Sequence, residues 1–310
     1  MIKKVVLAGA GTMGASLAQV YAKAGYDTIL CNRSESGLKR AENLIGINQA
    51  TLVKEKLLTA EESATLREKI TLTTDRDTYR DADLVVESIV ENLAVKQEFW
   101  AEISHLVPET ALLASNTSGL HLTDIAEAVY LPERFIGQHW LNPPHLLPLC
   151  ELICGKKTSQ QTLAQMREIV SGLDKKPVVV SDINGFIINR IQFAVLREAL
   201  YIVQSGAATA EDVDNVMKYG LGLRYAALGP FGTADFGGLD TFEHISSYLF
   251  ADLCDQKEGS QVLQDMVANG RLGVKSGAGF YDYSGDKAET ATKQRDEMFI
   301  KLAKVLYFDK

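Results

Sequence analysis

The chain has 310 residues, with 40 acids against 32 bases and a net charge of −8. At roughly 150 residues per domain, this length implies about two domains, enough for a real core without disulfides. The acidic balance repels a phosphate backbone, so nucleic acid is excluded as a first partner. A content of 46% hydrophobic and 23% charged residues excludes a disordered chain.

Cys31, Cys150, Cys154 and Cys254 form no CxxC pair and no disulfide framework, which fits a reduced, cytoplasmic setting. Lys3 and Lys4 before an apolar run imitate a signal peptide, but Gly9, Gly11 and Gly14 interrupt it. No run approaches the ~18 apolar residues needed to span a bilayer, so no membrane partner is expected. No His, Cys or carboxylate cluster has metal-ligand spacing, and no metal is expected.

In chain order, residues 5–8 read as a buried strand and 12–23 as a helix. A second strand is expected at 28–31, a helical pair over 35–67, and strands at 70–73 and 84–87. A helix at 92–106 and strands at 111–115 and 135–138 complete the pattern. Strands alternating with helices predict an α/β Rossmann-type N-terminal domain around a mostly parallel sheet. Beyond Asn184 the periodicity is almost purely helical, with clear helices at 186–204 and 211–219. Gly206 and Gly220 are read as their C-terminal caps. The expected division is a dinucleotide-binding domain over 1–183 and an all-α domain over 184–310.

Gly9-Ala10-Gly11-Thr12-Met13-Gly14 is a GxGxxG turn set between a strand and a helix. That context gives it meaning: the turn brings backbone N–H groups and a helix N-terminus against a pyrophosphate. Gly9, Gly11, Thr12, Met13 and Gly14 are therefore cofactor-binding candidates. The second strand ends in Asn32-Arg33-Ser34, where an NAD-binding domain usually carries Asp or Glu for the ribose. A neutral Asn, a planar cation and a hydroxyl favour a 2′-phosphate, so NADP is expected over NAD.

His139 ends an apolar strand, Pro143, Pro144 and Pro148 force a turn, and Glu151 lies on the next apolar stretch. Adjacent strands joined this way place an imidazole against a carboxylate, a general base with an orienting acid. These segments, with Ser115-Asn116-Thr117-Ser118-Gly119 and Gly185-Phe186-Ile187-Ile188-Asn189-Arg190, closely resemble the L-3-hydroxyacyl-CoA dehydrogenase family. The resemblance runs from the glycine turn to Gly273–Tyr281. It implies that the helical domain mediates dimerisation and that the protein is a homodimer. By the same resemblance His139 is the catalytic base, Glu151 its partner, and Ser118 and Asn189 bind the reacting oxygen. Glu91, Lys96, Asn142 and Lys275 match cofactor-side residues.

The family activity is oxidation of a 3-hydroxyacyl-CoA to the 3-oxoacyl-CoA, and this is the leading expectation. Two departures bear on it. Asn48 and Glu55 stand where CoA-using members carry a serine and a lysine for the CoA tail, and a one-residue shift of register brings Lys54 or Lys56 to the second place. The segment 220–230, with Arg224, looks more like members acting on free hydroxy acids, such as L-gulonate and carnitine dehydrogenases. Arg224 then suits a substrate carboxylate, bound bidentately. A non-catalytic, crystallin-like chain is the reading from another class, and the intact Ser118, His139, Glu151 and Asn189 argue against it.

Overall fold

The computed structural model describes residues 2–308. Its contacts divide the chain into two units, residues 1–187 with 299–310, and residues 188–298. Residues 299–308 thus belong with the first unit, whereas the sequence pattern assigns everything after 183 to the second.

The first unit is built on β1 (Lys4–Ala8), β2 (Asp27–Cys31), β3 (Ile70–Thr73), β4 (Leu84–Glu87), β5 (Leu112–Ser115), β6 (Phe135–Trp140), β7 (Leu149–Cys154) and β8 (Lys176–Ser181). They form one sheet in the order β3-β2-β1-β4-β5-β6-β7-β8. Strands β1 to β6 pair in parallel, β7 runs antiparallel to β6, and β8 is parallel to β7. This is a Rossmann-type domain, with the chain reversing its winding between β1 and β4, where such folds bind dinucleotides.

The helices α1 (Thr12–Lys23), α2 (Glu35–Lys54), α3 (Ala60–Glu68), α4 (Leu93–Leu106), α5 (Leu122–Ala126) and α6 (Gln160–Gly172) connect the strands. Alternation along the central strands makes two cores. Val5, Leu7, Leu84 and Val86 pack with α1 residues Leu17 and Tyr21. Val6, Ala8 and Val85 pack with Trp100 and Ile103 of α4. Strands buried on both faces read as continuous apolar runs, which is why they were visible in the sequence.

The second unit holds α7 (Ile188–Gln204), α8 (Ala210–Val216), α9 (Gly222–Gly237), α10 (Leu239–Leu249), α11 (Gln261–Ala268) and most of α12 (Lys287–Ala303). Gly206, at φ +76°, ends α7 as expected. Gly220 does not cap a helix. It lies in a π turn, Met217–Leu221, that leads straight into α9, and the break falls instead at Gly229, at φ +71° beside Pro230. Among the described residues of this unit Leu200 is the only large apolar side chain that is buried.

Candidate active site

The glycine turn closes β1 onto α1. Gly9 takes φ +104°, and its N–H donates to the Cys31 carbonyl at 2.8 Å. A Cβ on Gly14 would stand 1.8 Å from the Gly9 carbonyl oxygen, so only glycine lets helix and strand come this close. At Gly11, the α1 N-cap, a Cβ would meet nothing within 4 Å, which leaves an open approach to the helix N-terminus. Exposed Gly11 and Thr12, half-buried Met13 and the unmatched N–H groups of the first turn form a cradle suited to a pyrophosphate.

At the end of β2, Asn32 Oδ1 accepts the Ala10 N–H at 3.3 Å, and its Nδ2 donates to the Ser34 carbonyl at 3.0 Å. Ser34 caps α2 by accepting the Gly37 N–H at 3.3 Å. Both side chains are thus tied to nearby backbone. Arg33 between them is exposed.

The next layer stands at the ends of β4 and β5. Glu87, fully buried, accepts from Lys96 Nζ at 2.5 Å, from Ser115 Oγ at 2.7 Å and from the Ile89 N–H at 2.9 Å. The Lys96 ammonium also lies 3.3 Å from Glu91 Oε2. Glu91 Oε1 accepts from the Thr117 hydroxyl at 2.6 Å and from the Ser118 and Gly119 N–H groups at 2.7 and 3.1 Å. Burial raises the Glu91 carboxyl, but the Thr117 hydrogen bond and the Lys96 charge outweigh it, so the group sits below its ordinary range. Lys96, expected on the cofactor side, is fully buried and serves as counter-ion to two carboxylates. Ser118 is exposed beside this network. It does not cap α5, whose N-cap is His121.

The β6–β7 hairpin positions the imidazole. The antiparallel register sets His139 opposite Glu151. His139 Nδ1 lies 2.7 Å from Glu151 Oε2, and Glu151 Oε1 accepts the Ile187 N–H at 2.9 Å. Both side chains are buried, and the Phe186 ring stands 5.4 Å from the imidazole at a 56° tilt. Because Nδ1 is committed to the carboxylate, Nε2 is left to exchange a proton. Asn142 is exposed at the turn, followed by a cis peptide to Pro143.

Asn189, Arg224 and Lys275 lie in the second unit. Asn189 opens α7 and is half-buried, Arg224 is exposed on α9, and Lys275 is exposed in a short 3-10 turn, Val274–Ser276.

Three features escaped the sequence reading. Glu87 ends β4, and a carboxylate closing the apolar run Leu84–Glu87 is itself a signal. The Ile187 N–H that fixes Glu151 carries no side-chain signature. Asp182 accepts the Leu122 and Thr123 N–H groups at 3.0 and 2.8 Å and so holds the start of α5. Burial raises its carboxyl, but hydrogen bonds from Thr123, Leu122 and His121 hold it below the usual range.

Residues 4–183 match the NAD binding domain of 3-hydroxyacyl-CoA dehydrogenase, and residues 185–283 match its C-terminal domain. The chain belongs to the 3-hydroxyacyl-CoA dehydrogenase family. It is accordingly an oxidoreductase whose first unit is an NAD-binding domain. Within this dehydrogenase family it is 40% identical to a probable 3-hydroxybutyryl-CoA dehydrogenase of Deinococcus radiodurans over 277 residues, 89% of this chain and 98% of the relative. It is 32% identical to the 5-formyl-3-hydroxy-2-methylpyridine 4-carboxylate 5-dehydrogenase of Mesorhizobium japonicum over 308 residues, 99% of each chain. A solved structure of an enzyme of that activity, described as an NAD+ dependent dismutase, has a TM-score of 0.92, 30% identity and 99% coverage of both chains.

Proposed function

We propose that this dehydrogenase interconverts a hydroxyl and a carbonyl on a small free carboxylic acid. The sequence reading led with a CoA thioester; the geometry at the end of α2 favours the second reading. The family's CoA-tail positions fall on Asn48 and Glu55. The C-terminal segment, beyond residue 283 where the family's C-terminal domain ends, returns to this corner. Lys304 Nζ donates to the Glu55 carbonyl at 2.5 Å, and Ile300 packs with Leu52 and Leu146. Residues 299–304 thus pack on the end of α2 that carries Glu55, which supports a substrate without a CoA tail. The Mesorhizobium relative, which matches the chain over its full length, carries a name that specifies a free carboxylate.

The chemistry rests on one observation, the 2.7 Å contact between His139 Nδ1 and Glu151. When bound, the nicotinamide accepts or donates the hydride. Nε2 of His139 takes the hydroxyl proton during oxidation and returns it during reduction, while Glu151 stabilises the imidazolium. Ser118 and Asn189 hold the oxygen as it gains carbonyl character. Arg224 binds the substrate carboxylate. Asn142 and Lys275 contact the cofactor.

NADP(H) is preferred over NAD(H), supported by the absence of a carboxylate at the end of β2 and by exposed Arg33. The protein acts as a homodimer. Phe231, Phe236 and Tyr219 of the second unit are 87%, 84% and 78% exposed, and a second copy is the surface that removes them from water. Light scattering that returned a monomer mass would overturn this.

Steady-state assays test the substrate class, using 3-hydroxybutyryl-CoA, free 3-hydroxy acids and formyl- or hydroxymethyl-pyridine carboxylates. Turnover is expected on a free acid and reduced by Arg224→Ala. Turnover confined to the thioester sinks the proposal. His139→Ala should lose about 10²–10⁴ in rate with cofactor binding intact.

A further inference from the structure

The buried network below Ser118 holds two carboxylates, Glu87 and Glu91, on one ammonium, Lys96. Lys96 and Glu87 are both fully buried and 2.5 Å apart, a pair that neutralises itself. Glu91 is the member that faces outward, with 40% of its side chain exposed. Lys96 is 0.8 Å farther from it than from Glu87, from separations of 3.3 and 2.5 Å. One negative charge is therefore left over, and it sits on Glu91. The three N–H and O–H groups of Thr117, Ser118 and Gly119 on Glu91 Oε1 hold that carboxylate in its charged form.

On the functional reading above, this charge stands beside the redox chemistry. Glu91 is one 2.7 Å hydrogen bond from the backbone of Ser118. On the functional reading above, on which this inference rests, Ser118 meets the reacting oxygen. Hydride transfer needs the reacting carbon within about 3–3.5 Å of the nicotinamide. The oxidised ring is cationic and the reduced ring neutral, so a fixed anion nearby discriminates between them.

We propose that the Glu87–Lys96–Glu91 triad is a redox-tuning element that makes the site bind the oxidised nicotinamide cofactor more tightly, relative to the reduced one, than an uncharged site would. Glu91 supplies the charge, and Glu87 is a positioning residue acting through Lys96.

The test measures dissociation constants of NADP+ and NADPH, and of the NAD pair, by calorimetry without substrate. Glu91→Gln keeps the acceptor and removes the charge. It should weaken the oxidised form relative to the reduced one by about three- to tenfold, a range that allows for solvent screening. Glu91→Asp, which keeps the charge, should keep the wild-type ratio. In the wild-type protein, added salt should weaken the oxidised form more than the reduced one, because the phosphates are common to both. Equal loss of both affinities in Glu91→Gln, or a ratio indifferent to salt, overturns the proposal and leaves Glu91 a loop anchor. Neither measurement depends on turnover. An unchanged ratio beside an inactive His139→Ala enzyme defeats the tuning idea and leaves the functional reading standing, whereas an active His139→Ala enzyme defeats the functional reading whatever the ratio.

Discussion

His139 and Glu151 face each other across the β6–β7 ladder, with Nδ1 and Oε2 2.7 Å apart. The carboxylate cannot swing away, because its second oxygen is held by the Ile187 N–H. A glutamine at 151 would be nearly isosteric, but its amide can present a donor to Nδ1. The imidazole would then carry its proton on Nε2, the wrong tautomer for a base. Glu151→Gln should therefore lower kcat by about 10²–10⁴. Cofactor affinity, measured by fluorescence titration, should stay at the wild-type value. Near-normal kcat would remove Glu151 from the mechanism.

This pair was legible in the sequence because a proline-rich turn between two apolar runs forces neighbouring strands into one hairpin. The central strands were legible for a related reason: burial on both faces leaves unbroken apolar runs. Strand β8 carries a short apolar run too, Val178–Val180, but that run lies at the sheet edge, where Lys176, Val178, Val179 and Ser181 are exposed, and it is not among the strands expected from the sequence. Gly220 misled because a glycine after a helical run usually caps it, whereas a π turn here absorbs the residue without a positive φ. The return of the C-terminus to the first unit was not legible either. It depends on the long-range contact of Ile300 with Leu52, and periodicity carries no information about partners.

Cofactor choice should turn on Arg33. Asn32 and Ser34 already spend their polar atoms on the turn and the α2 cap. A charged hydrogen bond to a 2′-phosphate contributes about 1.5–3 kcal/mol. Arg33→Ala should therefore weaken NADPH by about tenfold or more, with little change for NADH. The measurement is kcat/KM for both coenzymes. If wild type already prefers NADH and Arg33→Ala changes neither, Arg33 reads no phosphate.

Asp182 gives the fold a pH-dependent contact. Its carboxylate accepts two N–H groups that α5 would otherwise leave unmatched. The folded-state pKa lies below the ordinary aspartate value, because those hydrogen bonds and His121 outweigh burial. The unfolded chain therefore binds the proton more readily. The stabilisation is complete above the ordinary value, about 3.9, and is lost as pH falls through the lower folded value. Asp182→Ala should cost about 1–3 kcal/mol at neutral pH, by leaving the two N–H groups at the start of α5 without their acceptor. Urea unfolding of the two proteins should show the gap closing below about pH 4. A gap that stays constant into acid would mean that the charge contributes nothing.

Ile300 anchors the returning C-terminus and is 1% exposed. It packs against Leu52 and Leu146, with Leu57, Leu58 and Phe299 around them. Ile300, Leu52, Leu146, Leu57 and Leu58 also border a cavity of about 200 Å³. A truncated side chain here adds to existing empty space, which the surrounding leucines cannot fill without leaving their own contacts. Ile300→Ala should therefore cost about 2–4 kcal/mol, toward the upper part of that range. Loosening the segment also uncovers the α2 corner beside Asn48 and Glu55. A variant that unfolds earlier in urea while gaining measurable activity on 3-hydroxybutyryl-CoA would tie the C-terminus to substrate choice. Loss of stability with no change in the ratio of thioester to free-acid turnover would reduce the segment to a structural clasp.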